Sequence, residues 1–399
     1  MKIPSINYIY LYLVLGGFFM ACKAGSSKNP SYEVKTVVID VDDPVTLKLS
    51  QLVDTLRIVP LETKDHFIGE ASQVVWGENN LYVVDKKKAK AIFVYDHRGR
   101  FIREINLIGN GPGQYKSLNH VQIIEDQNRI YISDGGHAEF LEIDLEGNVV
   151  WERKLKPEQR FLDFLVKGSE IYLIQNDVVN LRYKLTSTNL RFKDFKPLRI
   201  KTPNDVNIDI GGNYFFFVHG GNGFVVTNAY NPIVKWFKDG KMVEVIRFEF
   251  SREGLTFEPG KMYSSIEINE KGMRGERFGM SGQVIDQKNY TMVSFHEKLE
   301  DKSYSIGKEA VYLKEEKKAM VVKEIINDVD KGVGLRGFSN ATERGKGVCA
   351  FEAPDFIKMR EQGFWEDGPY VDKVNAIRID EMDNPVLFIY DLKEEIDLE

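Results

Sequence analysis

The sequence predicts an all-β fold, a six-bladed β-propeller with seven blades as the alternative, and three observations predict it. A phrase occurs twice: Leu81-Tyr82-Val83-Val84-Asp85, Phe93-Val94-Tyr95-Asp96, a turn around Gly99, and Phe101-Ile102-Arg103-Glu104-Ile105; then Ile130-Tyr131-Ile132-Ser133-Asp134, Phe140-Leu141-Glu142-Ile143-Asp144, a turn around Gly147, and Val149-Val150-Trp151-Glu152-Arg153. The copies are offset by 49 residues at Leu81/Ile130 and by 48 at Gly99/Gly147. Three or four short strands per repeat of that size are the mark of a propeller blade. The same grammar of apolar runs and turn residues continues, blurred, to the C-terminus.

The elements follow in order. Met1-Lys2 and the apolar run Ile9–Met20 form a signal segment, too short to span a bilayer as a mature helix. It ends Phe18-Phe19-Met20-Ala21-Cys22, which resembles a bacterial lipobox, with Phe19 where Leu is usual. That resemblance implies cleavage before Cys22, which would carry the acyl chains; several chains on one residue anchor stably. Residues 22–33 read as a flexible tether, and residues 34–399 as a single propeller domain. Val34–Val41 and Leu56–Leu61 read as strands, with one helical turn in Leu49–Asp54 between them. Val74–Ile105 and Val121–Leu155 are the first two blades, and Phe161–Ile174 with Leu181–Leu198 the third. Tyr214–Phe250 gives a fourth, with an Asp239-Gly240 hairpin turn. Tyr290–Ile325 gives a fifth. Gly337–Asn340, Gly347–Glu352 and Val386–Tyr390 give the last. Val34–Leu61 and Val386–Leu392 are the expected closing pieces, since pairing both ends removes an exposed edge. Two stretches fit no blade: Gly254–Gly282, polar and glycine-rich, and Pro354–Arg378, whose spacing predicts two short helices before the last strand. Both are expected on one rim, where loops build binding surfaces.

Composition excludes several function classes. Removing residues 1–21 takes the chain from 399 to 378 residues and, with one Lys gone, the net charge from −6 to −7, which argues against a nucleic-acid partner. The only cysteine besides Cys22 is Cys349, so the core has no disulfide framework. No later apolar run reaches membrane-spanning length.

Leu56-Arg57-Ile58-Val59-Pro60-Leu61-Glu62-Thr63, Ile68-Gly69-Glu70, Leu81–Asp85, Gly109-Asn110-Gly111-Pro112-Gly113-Gln114-Tyr115 and Asp383-Asn384-Pro385-Val386-Leu387 resemble the six-bladed β-propeller lipoproteins of Bacteroides and its relatives, which look like NHL-repeat propellers. The resemblance covers nearly all of the mature chain. It implies a propeller at the cell envelope and supplies no functional residue set. Surface export in such lipoproteins goes with acidic residues after the lipidated cysteine; Lys23–Lys28 has none, which favours the periplasmic face.

Few constellations point to chemistry. Gly109-x-Gly111-x-Gly113 lacks the dinucleotide-loop spacing and no helix follows it, so it reads as a blade-to-blade turn. Asp85 and Asp134 recur at the blade period, as do Asp96 and Asp144 before the turn glycines. Symmetry therefore reads them as turn-capping residues. The six histidines show no metal-ligand spacing, and no metal or cofactor is expected. No Gly-x-Ser-x-Gly elbow is present, and Cys349 sits in an apolar strand as a buried small residue. Phe364, Trp365 and Tyr370, in a glycine-flanked loop with Glu366 and Asp367, are the candidate ligand contacts; packing of the inserted helices is their structural alternative. No catalytic residue is assigned.

The expected function is an envelope-anchored binding or scaffold module, held to the membrane through its anchor, with a glycan or an envelope protein as partner. The alternative is a glycan lyase or hydrolase working in the propeller funnel. Asp134, His120, Asp163 and Arg182 are the residues whose convergence there would favour it.

Overall fold

In the computed structural model, residues 34–396 are described, apart from 137, 178–181, 199–206, 210–214, 219–222, 229–230, 257, 259–261, 265, 268–269, 272–274, 300–304, 333–340 and 343–344. The predicted signal segment, the tether and Cys22 lie outside the described residues, as does Gly337–Asn340.

The repeated phrase folds into repeated sheets. Gln73–Trp76, Leu81–Asp85, Ala91–Tyr95 and Phe101–Ile105 make one antiparallel sheet, paired in chain order. His120–Ile124, Arg129–Asp134, Glu139–Ile143 and Val149–Lys154 make a second. Asp163–Lys167, Glu170–Asp177, Arg182–Asn189 and Lys196–Leu198 make a third. The two middle strands of the first sheet are buried at every position. The alternation of side chains along a strand explains this. Tyr82, Val84, Ile92 and Val94 pack on Val121, Ile123, Ile130 and Ile132 of the second sheet. Leu81, Val83, Phe93 and Tyr95 pack the other way, on Val348, Leu387 and Ile389. The first sheet is thus sandwiched between two others. The result is an all-β, propeller-like arrangement.

The ends of the chain meet, though not with the predicted pieces. Val53–Pro60 pairs antiparallel with Val386–Leu392, which pairs in turn with Lys346–Phe351 and, beyond it, Ala341–Thr342. Buried Asn384 locks this closing sheet to the first: its amide donates to the Glu62 and His66 carbonyls, and its oxygen accepts the Ile68 N–H. Val34–Lys48 takes no part in this closure, which corrects the expectation that Val34–Leu61 closes the ring as a whole. Val34–Ile39 pairs parallel with Val245–Phe250, and the strand then crosses to Ala319–Ile326 with a register shift after Asp40. It thereby joins two antiparallel sets, 215–250 and 278–326, into one nine-stranded sheet. The described residues give four four-stranded sheets, this nine-stranded one and a two-stranded pair, rather than six four-stranded blades. The β-branched run Val37-Val38-Ile39 suits an extended strand, and Ile39 is buried between the sets.

Gly254–Gly282 is less of an excursion than expected. Phe278–Asp286 is a strand paired with Tyr290–Lys298, and the ladder breaks between Met280 and Val284. Gly282 lies in that break with φ +85°, a conformation that glycine adopts without a Cβ clash. Met262–Ser264, also in the stretch, pairs with Asn207–Asp209. The Asp239-Gly240 turn is the predicted hairpin, with both residues at positive φ and Lys238 opposite Lys241. The two predicted helices are Ala353–Glu361 and Val371–Ala376, with Pro354 in the first turn of the former. The segments 251–277 and 352–385 leave and re-enter their sheets at one end, the end where first strands begin and second strands finish. Strand polarity therefore puts both on one rim.

Candidate functional site at the start of the first strands

Two carboxylates at this end, Asp85 and Asp134, and a third at the opposite end, Glu125, are consumed by the frame. Asp85, the last residue of its strand, accepts N–H bonds from Gly69 and Glu70 of the loop that enters the first sheet, and from Lys87, Lys88 and Ala89 of the turn ahead. Asp134 repeats the arrangement: Lys116 and Ser117 from the entering loop, the Ser117 hydroxyl, and Gly136 ahead. Burial raises the carboxyl pKa of Asp85, but the four strongest backbone bonds outweigh it, and the group lies below the usual carboxylate range. The Asp134 oxygens thus serve backbone N–H groups and the Ser117 hydroxyl. Glu125 works at a sheet-to-sheet junction, accepting the N–H groups of Asn79 and Asn80 at 3.0 and 3.1 Å and the Tyr82 hydroxyl at 2.9 Å.

A different group forms where the first strands of the second and third sheets begin. His120 Nδ1 lies 3.0 Å from Asp163 Oδ1. Both residues open their strands, and the strands are pinned side by side by Gln122, whose amide donates to the Val166 carbonyl and accepts the Val166 N–H. Lys86, one residue past Asp85 in the first sheet, completes the group. Burial lowers its pKa, and Asp163 is the charge that opposes the shift. The Lys86 backbone N–H is fixed by the Ser72 hydroxyl. Lys86 makes no ion pair with any described residue. A carboxylate on Nδ1 sets the imidazole tautomer and leaves Nε2 to meet a ligand, an arrangement competent for acid–base work or for polar recognition. Of the four residues sought in the funnel, His120 and Asp163 come together, Asp134 is bonded to Lys116, Ser117 and Gly136, and the Arg182 side chain lies outside the described residues. Lys86 has no motif of its own in the sequence; only its place beside the recurrent Asp85 could have marked it.

The mouth where the first strands begin has a charged shoulder. Glu352, which precedes the first inserted helix, has its pKa raised by burial, with Lys88 opposing and Asp355, Asp85 and Glu70 adding to the rise. Trp365 is 2% exposed and stacks on Phe388 at 5.5 Å, with Phe356 at the same distance. It is a core residue holding the insertion to the closing sheet, and an indole so covered has no face for a sugar, which corrects its assignment as a ligand contact. Tyr370 packs half-buried on the same cluster. Phe364, 37% exposed, is the member of the trio open to solvent.

The remaining singular residues take structural places. His66 stacks on Phe101 and meets Glu104, and His97 stacks on Trp76. His137 and His219 lie outside the described residues. Cys349 is buried. Among the described residues, no set of three His, Cys, Asp or Glu side chains could hold a metal ion, and no helix is long and apolar enough to cross a membrane.

The family model for a domain of unknown function, DUF4934, matches residues 34–391. The chain belongs to the DUF4934 family. Two solved structures resemble this DUF4934 chain. One, an exported-protein candidate from Bacteroides fragilis, is 16% identical, with a TM-score of 0.65 over 90% of this chain and 100% of the other. The other, a member of the DUF4221 family from Bacteroides vulgatus, is 14% identical, with a TM-score of 0.54 over 86% of this chain and 98% of the other. At such identities the likeness is one of fold. No curated protein matches the DUF4934 chain in sequence.

Proposed function

We propose that this DUF4934 chain is an envelope lipoprotein, anchored through Cys22, whose six-bladed propeller binds a ligand at the mouth framed by Lys86, His120 and Asp163. The six-blade reading counts the nine-stranded sheet as two four-stranded blades stapled by Val34–Lys48, and adds the three repeat sheets and the closing sheet. The observation that carries the binding reading is the pairing of His120 and Asp163 at 3.0 Å where the first strands of two adjacent sheets begin. Neighbouring carboxylates at the same end are, by contrast, spent on backbone. Propellers supply a rigid funnel that suits recognition without chemistry. The exported-protein description of the Bacteroides fragilis structure supports an envelope location. The periplasmic face follows from the lack of acidic residues after Cys22.

The test is a panel of envelope glycans and envelope proteins offered to immobilised protein and to His120→Ala. Ligands retained by the first and lost by the second are expected; a panel that the two retain alike would refute the site. Membrane fractionation of Cys22→Ala tests the anchor, and the variant is expected in the soluble fraction. The His120–Asp163 pair gives one specific reason to keep the enzyme reading, in which the imidazole acts as acid or base on a bound glycan. Release of new reducing ends from a retained glycan by wild type, abolished in Asp163→Asn, would establish it; retention without cleavage would dismiss it.

A further inference from the structure

The outer hairpin of the third sheet is basic in a chain that is acidic as a whole. Residues 181–201 hold seven Lys or Arg and one acid, Asp194, against a net charge of −6 for the full sequence. The turn between the last two strands holds its cations outward. Asn189 Oδ1 accepts the Arg191 and Lys193 N–H groups, each at 3.0 Å. Phe192 between them is buried at φ +50°, a conformation that a bulky residue takes only where its surroundings hold it. Its ring packs among Phe140 and Phe161, which leaves Arg191 and Lys193 exposed, and Lys196 follows, also exposed. Lys193 and Lys196 make no ion pair with any described residue. Arg153, from the outer strand of the second sheet, adds a fourth charge: it lies over the Phe192 ring at 5.9 Å and donates to the Arg191 carbonyl at 2.6 Å. Glu142 is taken by Arg129 and Arg191 at 2.8 and 2.7 Å, and Asp194 accepts from the Asn189 amide. The corresponding turn of the second sheet, 144–148, has two carboxylates and no cation, so this charge is no feature of the repeat.

We propose that this hairpin docks on the surface of an anionic phospholipid bilayer. The proposal rests on the anchor reading, which brings the chain to a membrane; a basic patch is a common second signal beside acyl chains. Each Lys or Arg close to an anionic leaflet strengthens the attachment. Trp151 and Phe195, half-buried in the same cluster, suit the headgroup level, where aromatic rings meet apolar and wet surroundings at once. The hairpin is the outer edge of its sheet, which a flat surface can meet, whereas a small ligand needs a concave pocket.

The test uses residues 22–399 made without the signal segment and so without acyl chains. They are sedimented with vesicles of phosphatidylcholine alone and of phosphatidylcholine with an equal part of phosphatidylglycerol. Binding to the anionic vesicles only, weakened by added salt, is expected. The double variant Lys193→Gln with Lys196→Gln should bind them about tenfold more weakly or worse. Lys193→Arg with Lys196→Arg should bind as wild type does, and urea unfolding of all three proteins should coincide, since both positions are exposed. Equal binding to the two kinds of vesicle, binding to neither, or a glutamine variant that binds as wild type does would overturn the proposal. So would retention on heparin without binding to vesicles, which would give the hairpin to an acidic polymer. The anchor reading fails separately, because concentrated salt screens the hairpin and leaves acyl chains in place. If Cys22→Ala stays with salt-washed membranes while the unacylated chain binds anionic vesicles through Lys193 and Lys196, the anchor is wrong and the hairpin docks. If Cys22→Ala is released and the vesicles bind nothing, the anchor stands and the hairpin proposal falls.

Discussion

Two carboxylates at the same end of the molecule do opposite work. Asp134, which ends the second strand of its sheet, gives its oxygens to the N–H groups of Lys116, Ser117 and Gly136. Asp163, which begins the first strand of the next sheet, gives an oxygen to the His120 imidazole. The first arrangement recurs at Asp85 with the blade period, and a loop that must enter every sheet in the same way explains the recurrence. The second has one instance among the described residues and answers to no feature of the repeat. Recurrence marks the frame, and a polar group that breaks the repeat marks the place where the frame is put to use.

Substitutions can break that contrast, and the largest effect is expected in the core. Trp365→Ala should cost about 4 kcal/mol in urea unfolding, because a buried indole stacked on Phe388 leaves a cavity. Ligand retention at the mouth should survive it at temperatures where the variant is folded. Ile39→Ala should cost about 3 kcal/mol, since Ile39 is buried where Val34–Lys48 crosses between two sets of strands. A loss below about 1 kcal/mol would mean the staple is dispensable.

The frame carboxylates should also show in acid. The Asp85 carboxyl titrates lower in the folded chain than in the unfolded one, so its contribution is present above the unfolded value of about 4 and is lost as pH falls through the folded value. Asp85→Asn should flatten that acid arm of the stability–pH curve and lower stability near pH 7. An acid arm identical to wild type would show that the backbone bonds to Asp85 contribute nothing. At the small end, Phe364→Ala should change stability by less than about 0.5 kcal/mol, since its ring is open to solvent.

Much of this was legible in the sequence where the physics is local. The two copies of the apolar-Tyr-apolar-x-Asp phrase gave the first two sheets, because alternation and turn residues act within a few positions. The frame role of Asp85 and Asp134 was readable from their spacing alone. The inserted helices were readable from Phe356, Met359, Val371 and Val374. The staple was not, because β-branched residues announce a strand but not its partners, which lie some 200 and 280 residues away in the chain. The strand Phe278–Asp286 was hidden by glycines that read as loop but serve a bulge. Trp365 misled because its flanking glycines and acids suggest exposure, while its packing on Phe388 depends on how the insertion folds back. His120 and Asp163 could be named as residues to look for, yet their pairing needs two sheets laid side by side. Lys86, in a run of three lysines, carried no signal to set it apart from its neighbours.

The most direct test sets Asp134→Asn beside Asp163→Asn, two isosteric changes at one end of the molecule, in equilibrium unfolding and in the ligand panel. Asp134→Asn should lose about 2 kcal/mol of stability and keep its ligands, because an amide cannot accept all of the N–H groups the carboxylate does. Asp163→Asn should stay within about 1 kcal/mol of wild type and lose them. If Asp163→Asn unfolds as readily as Asp134→Asn and retains every ligand, then Asp163 belongs to the frame and the mouth is not a site.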